Sequence, residues 1–418
     1  MNIFRHLLNS SSLLLAGIIM LYGSQAAFFT LGNKGRYLAL AVGFGCVLMA
    51  AFRRSGLRGA AHNFQFIFVS SLYFLFLLVL SFVREHDIFY AQKLVFIGVC
   101  FALFIAGYLL AKAPTRDGKW SDSIAMMFGG AFLTLILYRF LGYVKMISFA
   151  GTERGFDVSE LNPVGAAYVN TILVLVYVYM AATTPRIISK PLYAIVAGMA
   201  VLVVITTGSR GAPLWGVASL CIIAVIMWRN QLVKFNTKTV LSVASAVVFG
   251  IPVALYLFKS NYALSEKLDI MITRFERLFN VFFHGEQEVS ANARLEFFDY
   301  YFSNFGSWAF LGEKYYSIYP HNQFLEIGVR FGILGLPLLG FSLYIVGKSL
   351  IKGFSKKYEM SAEWYLIMLL FLFSYLQSMS SLSLEVNRTL WLGFGYLYGY
   401  QYRLKGFAMQ DRRGGGMS

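Results

Sequence analysis

Long apolar runs separated by short charged clusters occupy almost the whole chain. Read between the clusters, they give twelve candidate spans: 11–31, 37–52, 64–83, 94–111, 123–143, 163–183, 191–207, 212–228, 239–258, 324–347, 364–381 and 390–403. A helix crossing the hydrocarbon core needs about 20 predominantly apolar residues, and most of these runs approach that length. In lipid every backbone polar group must be satisfied within the segment, which helices do. The pattern therefore predicts an all-α protein, a polytopic integral membrane helical bundle of about 12 transmembrane helices forming one domain over residues 1–418. The opening MNIFRHLL carries one Arg and leads into a long apolar run without a small-residue cleavage site. It reads as a retained first helix.

One connection is far longer than the others. Residues 259–321, between the ninth and tenth spans, place charges every three or four positions among Phe, Leu, Ile and Tyr. That spacing predicts amphipathic helices on or near the outer membrane surface, in a large periplasmic loop. A loop this long without a task would be unusual. No two-halves repeat of the transporter kind is visible. The tail 404–418, ending RRGGGMS, is expected to be disordered and cytoplasmic.

Composition strengthens the membrane reading. Hydrophobic residues make up 58% and charged residues 13%, against roughly 25% charged in a soluble protein. No aqueous core of this size could hide so much apolar surface. A net charge of +16 would suggest nucleic acid in a soluble chain. Here no nucleic-acid partner is expected, because the charge segregates. With the N-terminus inside, the cytoplasmic segments carry 20 basic and five acidic residues, and the rest holds 16 basic and 15 acidic. Both termini are thus predicted cytoplasmic. The expected location is the bacterial inner membrane, with membrane lipids as neighbours. Cys46, Cys100 and Cys221 lie in apolar runs without CxxC spacing, so they read as small core hydrophobes.

Candidate chemistry gathers at the outer ends of the spans. Thr206-Thr207-Gly208-Ser209-Arg210-Gly211 joins the seventh and eighth spans with almost no loop. Arg210 is either an arginine snorkelling to the interface or a fixed guanidinium aimed at an anion, whose planar fork matches phosphate oxygens. Ser209 would support it. His321 opens the tenth span beside Asn322 and at the end of the large loop. It is either a structural imidazole or the side chain best suited to accept a proton near neutral pH. Nearby guanidiniums would keep it neutral. Arg294, in ANARLEFF, is a surface charge or a second anion clamp. Arg274 and Arg277 flank Glu276 as surface charges. Glu326 and Arg330, four apart, are expected to pair across one helical turn and to border the cavity. Arg139, Arg388 and the Lys34–Arg36 pair are weaker candidates.

Other chemistries lack their residues. Five His with no HExxH or paired His/Cys spacing give no metal centre. There is no GxxxxGK[ST] or GxGxxG phosphate loop. Without an acidic pair on an outer loop, nothing would hold the metal of a nucleotide-sugar transferase. No cofactor is expected, and phosphate recognition would fall to arginine.

His321-Asn322, nine residues, then Gly332-Ile333-Leu334-Gly335 resembles the His-[Asn/Ser/Gln]-x9-Gly-x-x-Gly signature of the bacterial O-antigen ligase and O-antigen polymerase superfamily. Gly208-Ser209-Arg210-Gly211-Ala212 looks like its SRGA turn. Arg294, followed by aromatics and Phe310-Leu311-Gly312, is similar to its exterior arginine segment, and Asn162-Pro163 to an Asn-Pro found there. The resemblance implies a metal-free, inverting glycosyltransferase. Such an enzyme moves a glycan from an undecaprenyl-diphosphate carrier to an acceptor hydroxyl at the periplasmic face. Arg210 and Arg294 would grip the diphosphate and His321 would activate the acceptor. The two glycines of the tenth span would let a neighbouring helix or the lipid approach closely. A polymerase acting on an acceptor lipid-linked repeat unit is preferred, since each polysaccharide needs its own polymerase. A chain-length regulator protein would be a further partner. A ligase acting on lipid A–core is the alternative, and a lipid-linked oligosaccharide transporter a distant one.

Overall fold

The computed structural model describes residues 10–54, 68–76, 90–112, 163–183, 189–207, 209–231, 289–313, 322–356, 360–381 and 387–414, with isolated positions between them. Every regular element among the described residues is helical. In chain order they are α1 (Ser10–Arg54), α2 (Tyr90–Ala111), α3 (Pro163–Thr183), α4 (Ser189–Thr206), α5 (Gly211–Arg229), α6 (Val289–Ser303), α7 (Phe305–Trp308) and α8 (Gln323–Phe331). A 3-10 turn (Gly332–Gly335), α9 (Leu336–Phe354), α10 (Ala362–Ser378) and α11 (Arg388–Gly414) complete the order. The spans expected at 123–143 and 239–258 lie outside the described residues.

The chain divides into two compact units. The first comprises Met1–Ala131, Glu296–Lys352 and Tyr358–Ser418, and the second Phe132–Leu295 and Gly353–Lys357. The division follows from packing, because α3, α4 and α5 make their helix contacts chiefly with one another.

In the first unit α1 cannot be straight. Its 45 residues would reach roughly 67 Å at 1.5 Å per residue. Instead Gly17 faces the Gly43 carbonyl and the Cys46 and Val47 side chains, and Gly43 faces Leu21. The run doubles back, and its apolar stretches Leu13–Tyr22 and Tyr37–Ala51 fall within the runs read at 11–31 and 37–52. On α10 nearly all side chains are buried from Glu363 to Ser378. Ser361 caps it by accepting the Trp364 N–H. Helices α2 and α11 cross backbone to backbone. A Cβ on Gly395 would collide with the Phe104 oxygen, and one on Gly107 with the Leu392 oxygen. Only glycine allows that approach.

The two membrane-length helices expose bulky apolar residues as well as burying others such as Ile223, Ile226 and Ile345. On α5 the exposed residues are Leu214, Val217, Val225 and Trp228, while Ala212, Gly216 and Ser219 face inward. On α9 Leu336, Leu343, Tyr344 and Ile351 are exposed and Ser342 and Ser349 are buried. Two helical stretches, Gly211–Arg229 and Gln323–Phe354, are long and apolar enough to cross a membrane.

Two boundaries differ from the sequence reading. The tenth span is not one helix, since the chain breaks at Gly332 between α8 and α9. Hydropathy misses the break because glycine does not interrupt an apolar run. The Tyr73 hydroxyl donates to the Leu334 carbonyl at 3.0 Å, satisfying an oxygen inside the break. Within 404–418, expected to be disordered, α11 continues as helix to Gly414. LKGFAMQDRR lacks proline and is rich in helix formers, which accounts for the continued helix.

Candidate functional site

The motif that carries the resemblance is built on α8. Asn322 is extended (φ −143°, ψ 123°), and its side-chain oxygen accepts the N–H groups of Phe324 at 3.0 Å and Leu325 at 3.2 Å. Its carbonyl accepts the Glu326 N–H at 2.8 Å. Asn322 is thus the cap that starts the helix. His321, the residue before the cap, lies outside the described residues.

Glu326 is fully buried and pairs with Arg330 one turn on, at 3.4 Å, as the spacing predicts. Its carboxylate also accepts the Leu384 N–H, at 3.1 and 3.4 Å. The Leu384 carbonyl in turn accepts from the Trp391 indole at 2.7 Å and the Cys100 thiol at 3.7 Å. Gln323, also buried, is hydrogen-bonded to Ser378. The Ser378 hydroxyl donates to the Gln323 side-chain oxygen and also lies 2.7 Å from the Tyr375 carbonyl. Asn387 donates to the Ser374 carbonyl at 2.8 Å and accepts the Leu390 N–H at 3.2 Å, capping α11. Arg388, a weaker candidate for anion binding, instead donates to the carbonyls of Leu21 at 2.6 Å and Tyr22 at 3.3 Å. This belt ties α8, α10, α11 and one leg of α1 together. Sequence reasoning named Glu326, Arg330 and Arg388 and missed Gln323, Ser378 and Asn387. The available signal was the density of Ser, Gln and Asn near the ends of otherwise apolar spans.

The two glycines of the motif have backbone reasons. Gly332 has φ +57°, and a Cβ there would lie 2.5 Å from the Phe310 oxygen. Gly312, at φ +83°, lies against the Arg330 carbonyl. Ile333 N–H donates to Ala309 and Phe310 carbonyls at 2.9 and 3.2 Å, and Glu313 N–H donates to Val329 at 2.6 Å. Gly335 admits Ile327 of α8 itself. The close approach is therefore made by the segment 309–313 and by α8, where a neighbouring helix or lipid was expected. Trp308 completes the joint. Its ring lies on Gly328 and its indole donates to the Tyr301 carbonyl at 2.8 Å.

Beside this joint lies a group the sequence reading did not single out. Tyr300 donates to the Glu313 carboxylate at 3.2 Å, and Tyr301 is bonded to the same carboxyl. Burial raises the Glu313 pKa against the lowering effect of both tyrosines. Burial, then the Glu313 charge, pushes Tyr301 up; for Tyr300 the Glu313 charge leads.

In the second unit, Thr207 tightens the turn before α5. Its hydroxyl donates to the Val204 carbonyl at 2.7 Å and accepts the Ser209 N–H at 3.2 Å. Arg210 is half-buried at the N-cap of α5, whose first turn carries no acid. A cation at the positive end of a helix dipole is electrostatically costly, and an anion relieves it. The backbone of Arg294 lies in α6, and its side chain is outside the described residues. Of the candidates, Asn322, Glu326 and Arg330 share one helix, while Arg210, Ser209 and Arg294 belong to the other unit. Glu276 and Arg277 are exposed, in keeping with surface charges. No family model, curated protein or solved structure matches the chain.

Proposed function

We propose that the chain is a multi-span transferase of the bacterial inner membrane, of the O-antigen polymerase kind. It moves a glycan from undecaprenyl diphosphate to a hydroxyl of an acceptor lipid-linked repeat unit at the periplasmic face. The observation that carries the reading is the way the resembling motif folds. Asn322 starts α8 beside His321, and Gly332 and Gly335 fold the end of the long loop onto that helix. The membrane placement rests on the bulky apolar residues turned outward on α5 and α9. With 19 residues, α9 alone spans about 28 Å, close to the roughly 30 Å hydrocarbon thickness. Helix α8 then lies at the boundary, above the membrane core.

In the proposed reaction the acceptor oxygen attacks the anomeric carbon. Its proton passes to the His321 imidazole, and the bond from the anomeric carbon to the diphosphate oxygen breaks. The electron pair leaves with the lipid diphosphate, and the configuration inverts. Negative charge on the leaving group grows along this path, so fixed guanidiniums at Arg210 and Arg294 favour the transition state over the ground state. The Glu326 belt keeps α8 at a fixed height. The reaction requires no metal.

The test is reconstitution of the purified protein with synthetic undecaprenyl-diphosphate repeat units alone. A ladder of products supports the polymerase. Transfer only after lipid A–core is added makes it a ligase. Movement of intact lipid-linked glycan across the vesicle without new glycosidic bonds makes it a transporter.

A further inference from the structure

The segment leading into α8 is exposed along residues 302–307. Around Asn304 the Asn304 N–H is bonded to the Tyr300 carbonyl and the Ser307 N–H to the Asn304 carbonyl. Ser303, Asn304 and Ser307 are exposed, and Phe302 and Phe305 are 64% and 54% exposed. Phe310, at 71%, is among the most exposed large apolar residues described. A soluble surface does not spend three phenylalanines this way, whereas large exposed apolar patches mark contact surfaces.

The hydrogen bonds of Ile333 fix where this edge sits. Its N–H reaches the carbonyls of Ala309 and Phe310, which sets Phe310 beside Ile333, itself exposed. In a 3-10 turn residues i and i+3 eclipse, so Ile333 and Leu336 share one face. Leu336 begins the exposed apolar stripe of α9 that continues through Leu343 and Ile351. Phe310 is therefore continuous with the outward stripe of a membrane-length helix, and it joins that stripe at its first turn.

We infer that Phe310 inserts, beside Ile333 and Leu336, into the acyl layer of the leaflet that meets the start of α9. This pins the end of the long loop to the bilayer surface. The occupant is a lipid surface, and the inference rests on the membrane reading of α9. Amphipathic elements of this kind lie with their apolar face buried about 5–10 Å into the boundary. Tyr300, at the exposed Glu313 contact, then sits at headgroup level, where amphipathic rings are favoured. An edge held this way would keep the loop within reach of a lipid-borne diphosphate, which cannot leave the membrane.

Nitroxide labels on single cysteines test it, in a chain with Cys46, Cys100 and Cys221 replaced by alanine. F310C, K356C and L343C are reconstituted in phosphatidylethanolamine–phosphatidylglycerol vesicles, Lys356 being an exposed charged position. Collision rates with oxygen, which partitions into lipid, and with a water-soluble nickel chelate are then measured. The inference expects the oxygen-to-nickel ratio at 310 to match that at 343 and to exceed that at 356 several-fold. If 310 behaves like 356 while 343 is lipid-exposed, Phe310 lies in water and the inference alone fails. If 343 is also water-exposed, the membrane reading falls with it. Benzoylphenylalanine at position 310 of the otherwise native chain gives an independent readout. Cross-linking to phospholipid is expected; none, when the same probe at 343 cross-links, overturns the inference.

Discussion

Glu326 holds the peptide N–H of Leu384 with both carboxylate oxygens, at 3.1 and 3.4 Å, across 58 positions of sequence. A fully buried carboxylate is costly to place, and this one is compensated by that N–H and by Arg330. The bond fixes the short connection between α10 and α11 against the helix that begins at Asn322.

Removing the carboxylate should therefore loosen the first unit. E326A is expected to cost about 3 kcal/mol or more, the scale for breaking one side of a buried pair. E326Q, which keeps an acceptor for Leu384, should lose less. Thermal unfolding in detergent measures both. An E326A protein as stable as the parent would show that the belt contributes nothing.

The two kinds of glycine around the break separate cleanly. G332A forces a side chain into φ +57° and onto the Phe310 carbonyl, and should cost more than about 1–2 kcal/mol, the left-handed penalty alone. Gly340 meets nothing within 4 Å, so G340A should be neutral or stabilising by up to about 1 kcal/mol. Equal melting shifts for the two would contradict the packing described at Gly332.

Glu313 makes the joint pH-dependent. Its folded pKa is raised by burial, so the folded state holds the proton more tightly than the unfolded chain. The stabilisation is complete below the ordinary glutamate range, about 4.3, and is lost as pH rises through the folded value. Trp308, packed in the same joint, should report this as a loss of protection against a fluorescence quencher as pH rises through that window. E313Q should flatten the profile. A wild-type profile that is flat, or that runs the other way, would remove Glu313 as the titrating group.

For the proposed reaction, R210A and R294A should each lower turnover by at least about 100-fold, the scale of removing one transition-state charge donor, with melting temperatures unchanged. Prolonged chelator treatment should leave turnover intact. A chelator-sensitive enzyme restored by a divalent ion would require a metal in the mechanism.

Much of the helical order was readable because each apolar run is continuous. The spans at 163–183, 191–207 and 212–228 agree with α3, α4 and α5 to within two residues. The break at Gly332 was not readable as a break, because its cause is the Phe310 carbonyl 22 positions earlier. The Glu326–Arg330 pair was legible from local spacing, whereas Leu384 and Ser378 were not, since their partners lie 58 and 55 positions away. The contact of α2 with α11 through Gly107 and Gly395 joins distant segments in the same way. Asn322 was legible as a helix start from its place before an apolar run. Glu313 and its tyrosines were not, because nothing local distinguishes them from other surface charges and aromatics.

The most direct test of the proposed function is single-turnover glycan transfer from a synthetic undecaprenyl-diphosphate donor, comparing the parent protein with H321A in the same vesicles. Loss of transfer in H321A, with donor binding and thermal stability retained, is the predicted result. Near-normal turnover in H321A would contradict the assignment of the imidazole as the base on which the account rests.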